Sequence, residues 1–302
     1  MKVLYVAVFD KLGRSNDISA AVAMQSNKHV TKIIVYNYRP RATEIGLAAR
    51  DEELINICRQ RKPDLVFFVK CNNMSTHVFT ECKKICPIAY WFPDPLVTYL
   101  EDDEYTAKAK ISDMVFVDKK NVFDTIKQYN NSVFIVPDGY DKITEIPRSV
   151  KTQDIDVSFI GNIYGDRLKK IEQLKRPLTI INNAYGKLHS RIVSRSKINI
   201  NFCTSEGPSN RIYKILAASG FLLTDDWIGR DEHFEDGKHL VIFKDVNDLN
   251  EKISYYLHND EERMRIAQEG HALSHNFTRN EWARKVINIY KKKYEETNEK
   301  DK

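Results

Sequence analysis

Short unbroken apolar runs alternate along this chain with stretches that are apolar only every third or fourth residue. Val3-Leu4-Tyr5-Val6, Leu65-Val66-Phe67-Phe68-Val69 and Ile88-Ala89-Tyr90-Trp91-Phe92 are such runs. A strand with one wetted face alternates polar and apolar positions, whereas a strand apolar throughout must be covered on both sides. The second pattern belongs to parallel sheets layered between helices. It predicts an α/β fold with strands at 2–9, 32–38, 64–70, 88–92, 113–117 and 133–136 and helices at 15–25, 44–61, 75–86 and 119–129. A second series begins with a strand at 155–160. It continues with strands at 178–181, 198–202, 221–224 and 241–243, and helices at 167–174, 210–218, 246–257, 260–274 and 279–294. Between the two series Pro137, Asp138, Gly139 and Pro147 interrupt any apolar period, so 137–151 reads as a linker. A length of 302 residues suits two domains. They are expected over 1–140 and 151–275.

Charge and cysteine use narrow the function. The net charge of +5 is not concentrated in either half. That is mild for a dedicated nucleic-acid binder and suits a site for an anionic ligand. Five scattered cysteines, an odd number, point to a reducing compartment. Cys82 and Cys86 lie four apart without further ligands in sequence, and read as buried small hydrophobes. Met1 leads straight into an apolar strand with no signal-peptide pattern, and no run reaches the ~18 apolar residues that span a bilayer. A soluble cytoplasmic protein without a membrane span is the expectation.

The segment Glu206-Gly207-Pro208-Ser209-Asn210-Arg211 carries the strongest local signal. A polar, glycine-containing loop opens a helix there, and Gly220 turns that helix into the strand at 221–224. A helix N-terminus presents free N–H groups and a positive dipole end, and Arg211 in its first turn adds a bidentate donor for phosphate. Gly161-Asn162 follows the strand at 155–160, where a glycine turn admits close approach of a ligand, although plain strand-to-helix turns look the same. Gly13 follows the first strand, but a single glycine is no dinucleotide fingerprint, which disfavours a nicotinamide dehydrogenase. In the first series Asp94 lies just past a strand end between Pro93 and Pro95, where ligands bind in open α/β sheets. A carboxylate there can take a proton from an acceptor hydroxyl or orient it; a turn aspartate is the competing reading, and Asp10 is a weaker rival. His77, His189 and the i, i+4 pair His271/His275 lack partners with metal-site spacing. Gly270 is read as a helix end. Arg39-Pro40-Arg41 is read as a loop with two solvated arginines, or a contact for an anionic acceptor.

Several of these segments together resemble GT-B glycosyltransferases of group 1, and among them the CgeB-like spore-maturation proteins. Arg211-Ile212-Tyr213-Lys214 through Ala217-Ala218-Ser219-Gly220-Phe221-Leu222-Leu223-Thr224 is similar to the C-terminal signature of that family. Asp156-Val157-Ser158-Phe159-Ile160-Gly161-Asn162 with Arg167, the helix at 260–270, Pro63-Asp64-Leu65-Val66 and Trp91-Phe92-Pro93-Asp94 extend the likeness over nearly the whole chain. The resemblance implies two Rossmann-like parallel-sheet domains facing across a cleft, with the last helix packed back on the first. It implies a nucleoside-diphosphate sugar, UDP-linked, as donor substrate, with no cofactor required. The donor would be held through Gly13, Gly161, Asn162, Arg167, Glu206, Asn210, Arg211 and Lys214, with Asp94 catalytic. No Asp-x-Asp metal motif is present, so transfer is expected without a metal, the leaving diphosphate being stabilised by a helix dipole and basic side chains. The acceptor is a hydroxyl of a hydroxylated DNA base, as in phage DNA modification, or of a glycan or protein. Lys214 departs from the family, which often carries a second glutamate there for the donor ribose. A lysine accepts no hydrogen bond from a hydroxyl. The alternatives are a ribose held elsewhere, Lys214 on a phosphate, or a catalytically silent nucleotide-sugar-binding subunit of the same fold.

Overall fold

A computed structural model describes residues 1–10, 16–94, 103–203 and 207–300, and it forms two compact units, 1–138 with 279–302 and 139–278. Gly13 and Glu206 lie outside the described residues.

Unit 1 is built on a parallel sheet of six strands: β1 (Lys2–Ala7), β2 (Lys32–Asn37), β3 (Leu65–Val69), β4 (Ile88–Phe92), β5 (Met114–Val117) and β6 (Val133–Ile135), in the order β2-β1-β3-β4-β5-β6. Successive side chains of a strand point to opposite faces, and both faces of this sheet are buried. Leu4, Val6, Val66 and Phe68 enter one apolar cluster. It is completed by α3 (Leu47–Arg61), α4 (Thr76–Lys83), α5 (Asp103–Ile111) and α6 (Lys120–Lys127), through residues such as Leu54, Phe79, Tyr105 and Ile126. Val3, Tyr5, Leu65 and Phe67 enter the other, against α1 (Asp17–Gln25) and α12 (Arg279–Lys300), which supplies Trp282, Ala283, Val286 and Ile287. Unbroken apolar strands follow from this two-sided cover.

Two local expectations fail here. The helix expected over 44–61 is broken: α2 (Tyr38–Ile45) ends at Gly46, whose φ of +87° no helix accommodates, and α3 starts afresh. Arg39-Pro40-Arg41 therefore lies in a first helical turn, where proline removes no hydrogen bond. Arg41 is taken up by Glu44 at 2.8 Å and Glu53 at 2.6 Å.

Unit 2 carries five parallel strands, β7 (Ile155–Ile160), β8 (Thr179–Ile181), β9 (Ser196–Asn201), β10 (Leu222–Asp225) and β11 (Val241–Phe243), in the order β11-β10-β9-β7-β8. One face packs on α8 (Gly186–Arg195) and α9 (Asn210–Ala217), the other on α10 (Val246–His258) and α11 (Asp260–Ser274). A further helix, α7 (Asp166–Glu172), follows β7. Helix α8 occupies a stretch to which the sequence reading assigns no element. Residues 139–151 run within this unit, and Tyr140 and Glu145 are buried in it. Gly270 does not end a helix but lies inside α11, where a side chain would meet the His239 carbonyl at 2.3 Å.

Candidate donor and acceptor sites

Strand β7 lies between β8 and β9, so the chain leaves its carboxyl end one way and that of β9 the other. Such a switch point opens a crevice for ligands. Ile198 and Ile200 of β9 face an apolar cluster, while the alternate residues Asn199 and Asn201 are buried polar. Asn201 Nδ2 donates to Thr224 Oγ1 at 2.9 Å, which turns its Oδ1 toward the start of α9. There it accepts from Ser209 Oγ and from Arg211 Nη1, both at 2.7 Å. Ser209 is the N-cap of α9 and makes no side-chain cap. The first turn beside Arg211 thus lacks the usual side-chain cap.

Arg211 rests 4.8 Å from the centre of the Phe159 ring. A side chain at Gly161 would come within 2.3 Å of its Nη2, and Gly161 has φ +147°. Gly161 therefore makes room for the Arg211 guanidinium as well as for the turn. Arg167 donates to the Asn162 carbonyl at 3.2 Å and to the Phe202 carbonyl at 3.0 Å, tying the loop after β7 to that after β9. Its guanidinium covers the Tyr164 ring at 4.3 Å. Burial, with the like charge of Arg167 beside it, brings the Arg211 guanidinium down to about 10. Among the described residues no carboxylate pairs with Arg211. Asn162 contributes its carbonyl, its side chain being exposed. Asn210 Nδ2 donates to the Gly139 carbonyl at 3.0 Å.

Lys214 meets not an open crevice but Glu145, at 2.6 Å, with both side chains buried. His189, in the first turns of α8, is 4% exposed and neither ring nitrogen has a partner. Burial, then Lys214 and Arg211, hold its imidazole down at about 3, so the ring is neutral. Glu145 escapes a sequence reading because it sits in apparent linker, and its partner is 69 residues away.

In unit 1, Asp94 Oδ1 takes Lys70 Nζ at 2.8 Å. Lys70, Cys71 and Asn73, just past β3, all have positive φ, at 57°, 53° and 58°. Non-glycine residues adopt that region at a cost, and such strain gathers at functional loops. Two buried cations hold the loop: Lys108 Nζ donates to the Cys71 carbonyl at 2.8 Å and Arg50 Nη2 to the Asn73 carbonyl at 2.6 Å. After β5, buried Asp118 pairs with Lys119 at 2.7 Å, and Lys119 Nζ also donates to the Pro93 carbonyl, next to Asp94. Burial pushes the Asp118 carboxyl up to about 6, and the carboxylates of Asp138 and Asp94 add to the rise against Lys119. Lys70, Lys119 and Asp118 carry no sequence motif; their positions past strand ends are the one signal available.

The other candidates have structural roles. His271 Nδ1 lies 3.2 Å from the Leu216 carbonyl and His275 Nδ1 3.5 Å from Tyr140 Oη. Cys58, Cys82 and Cys86 are buried in the first apolar cluster. Among the described residues no group of three His, Cys, Asp or Glu could hold a metal ion. No helix among them is long and apolar enough to cross a membrane.

Residues 145–288 match the family described as glycosyl transferase-like. The fold is that of GT-B proteins. The Anabaena protein HepE, solved in complex with UDP-glucose, superposes with a TM-score of 0.69 at 11% identity, over 95% of this chain and 99% of that one. Sucrose-phosphate synthase from Thermosynechococcus elongatus gives 0.71 at 10% identity, over 97% and 99%. A putative UDP-N-acetylglucosamine 2-epimerase from Listeria monocytogenes gives 0.64 at 11% identity, over 98% and 97%. No curated protein matches the chain in sequence.

Proposed function

We propose, starting from a chain of GT-B fold with a glycosyl transferase-like segment over residues 145–288, that the protein transfers a sugar from a UDP-linked donor to a hydroxyl acceptor. The observation that carries this reading is the Arg211–Arg167 pair at the mouth of α9. Two partly or wholly buried guanidiniums side by side repel, and they do so at an uncapped helix N-terminus. A diphosphate resolves the repulsion and lies at the positive end of the α9 dipole as well. Similar structures holding UDP-glucose and UDP support the choice of base.

In the transfer, the acceptor oxygen bonds to the anomeric carbon while the bond from that carbon to the diphosphate oxygen breaks. The diphosphate leaves with its added charge facing Arg211, Arg167 and the α9 dipole, which substitute for a metal ion. Asp94, held by Lys70, takes the acceptor proton. Within the fold we place the chain nearest the CgeB-like group, on its Arg211-to-Gly220 run.

The test is a thermal-shift and turnover screen of UDP-glucose and other UDP-sugars, with EDTA present. Hydroxymethylated DNA, oligosaccharides and a protein serve as acceptors. Stabilisation by UDP and release of UDP from one donor are expected. Binding without turnover of any donor would overturn the enzyme reading in favour of a silent binding subunit. Epimerised sugar in place of transferred sugar would point to the chemistry named for the Listeria neighbour.

A further inference from the structure

Parallel strands gather their amino ends at one end of unit 1, opposite the end that carries Asp94. Contacts between segments make that end one surface. Lys2 Nζ donates to the Arg61 carbonyl at 2.8 Å, and Lys83 Nζ to the Ile111 carbonyl at 2.7 Å. The later turns of α12 cross it, with Tyr290 Oη on the Asp64 carbonyl at 3.1 Å and Lys293 Nζ on Ser132 Oγ at 2.6 Å. Basic side chains crowd this end. Glu81 takes Arg59 and Lys84, and Asp113 takes Lys83. Lys28, Lys32, Arg61, Lys62, Lys127 and Lys292 are exposed, and among the described residues none of these six forms an ion pair. The net charge of +5, even along the sequence, is thus uneven in space.

Helix ends explain part of this. A cation near a helix C-terminus meets the negative end of its dipole, which suits Arg61 and Lys127 in the last turns of α3 and α6. Lys28, Lys32 and Lys292 lie in no such turn. Beside the amino ends of β7 and β9 in unit 2, by contrast, cations are neutralised: Arg195 pairs with Asp154 at 2.5 Å and Lys197 with Asp156 at 2.6 Å. Unpaired like charges repel, and an anionic partner removes the repulsion. Their layout shows which partner fits. Lys32 belongs to the edge strand β2, and Lys127 lies before the opposite edge strand β6, roughly 24 Å away across the six strands. Lys62 follows α3 and Lys292 lies on α12, helices that cover opposite faces of the sheet. A nucleic acid lines its phosphates along an axis and favours the arginine fork. Here the charges cover an area, and five of the six are lysine, a hydrated point charge. Tyr129, 46% exposed with Lys110 Nζ 4.8 Å from its ring centre, adds the amphipathic aromatic that settles among lipid headgroups. We propose that the amino-end face of unit 1 docks on the surface of an anionic lipid bilayer. The contact is electrostatic, reversible and screened by salt, and it holds the Asp94 end of the unit away from the lipid. It does not depend on the donor reading above.

Co-sedimentation of the full chain with vesicles tests this. Vesicles of phosphatidylcholine alone are compared with vesicles that also contain phosphatidylglycerol. Salt is set at about 0.1 M and about 1 M, where the screening length falls from about 10 Å to about 3 Å. The variant is Lys28→Gln/Lys62→Gln/Lys127→Gln, and the control of equal charge is Lys175→Gln/Lys187→Gln/Lys244→Gln in unit 2. All six positions are exposed, so both proteins should keep the wild-type melting temperature. Each basic side chain near an anionic surface multiplies partitioning about fivefold. The variant is therefore expected to bind the mixed vesicles about 100-fold more weakly, and the control to bind like wild type. Binding should vanish at high salt and be absent on phosphatidylcholine alone. Equal binding to both vesicle types, equal loss in variant and control, or no vesicle binding by the wild-type chain would overturn the proposal. Retention of duplex DNA in place of vesicles, lost in the variant, would overturn it in favour of a nucleic acid. UDP affinity should be the same in all three proteins, so failure of the docking face leaves the donor site standing.

Discussion

Arg211 shows how one side chain shapes its surroundings. Its guanidinium determines the glycine at 161, the orientation of Asn201 and the face of Phe159 left free for it. Even at about 10 it remains charged at neutral pH. A charged hydrogen bond in a partly buried site is worth about 1.5–3 kcal/mol, so Arg211→Ala should weaken UDP binding roughly 10- to 100-fold. Calorimetry that finds unchanged affinity would remove Arg211 from the donor site. Asp94→Asn keeps the shape of the turn but cannot take a proton. UDP affinity should be preserved while UDP release with acceptor falls about 100-fold or more. Arg211 and Gly161 were legible in the sequence because each sits at a chain position, helix start or strand end, with a known physical use. Lys70, Asp118 and Glu145 were not, because their meaning comes from partners brought close only by folding.

Elements were more legible than sites. Every strand of both sheets falls in a stretch the sequence marks, most clearly in β3 and β4, where burial on both faces leaves no polar positions, and less so in β9, whose Asn199 and Asn201 are buried polar. Helix α8 was not, although Leu188, Ile192 and Val193 have helical spacing. Its polar residues, His189 and Ser190 among them, are buried and mask the amphipathic pattern. That burial has a pH consequence. His189 in the unfolded chain binds a proton near pH 6.5 but in the folded unit only near about 3. Its contribution to stability is therefore complete above about pH 6.5 and is lost as pH falls toward 3, at about 1.4 kcal/mol per pH unit. Urea unfolding should show about 2 kcal/mol lost to this group between pH 6.5 and 5, and His189→Gln should flatten that loss. An unchanged pH slope in the variant would show that the imidazole is not the sensor.

At the scale of the molecule, unit 1 is assembled from two separated stretches of chain, and its sheet is covered on one face by α12. Trp282 is 1% exposed and stacks edge-on against Phe67 at 5.6 Å. Removing such a side chain costs about 3–5 kcal/mol, and removing the whole helix costs several of its kind. A chain ending at residue 278 should therefore lose cooperative unfolding of unit 1 and be cut there by protease, while unit 2 keeps its own transition in calorimetry. Two intact transitions in that truncation would show the helix to be dispensable. The same arrangement reverses the order in which a ribosome can finish the two halves. Unit 2 is one continuous stretch and is complete once residue 278 has emerged. Unit 1 begins first, yet the apolar face of Val3, Tyr5, Leu65 and Phe67 waits with only α1 to cover it through the synthesis of all of unit 2. The first-made sheet of this protein is the last to be sealed, and during that interval it is the surface a nascent-chain chaperone would be drawn to.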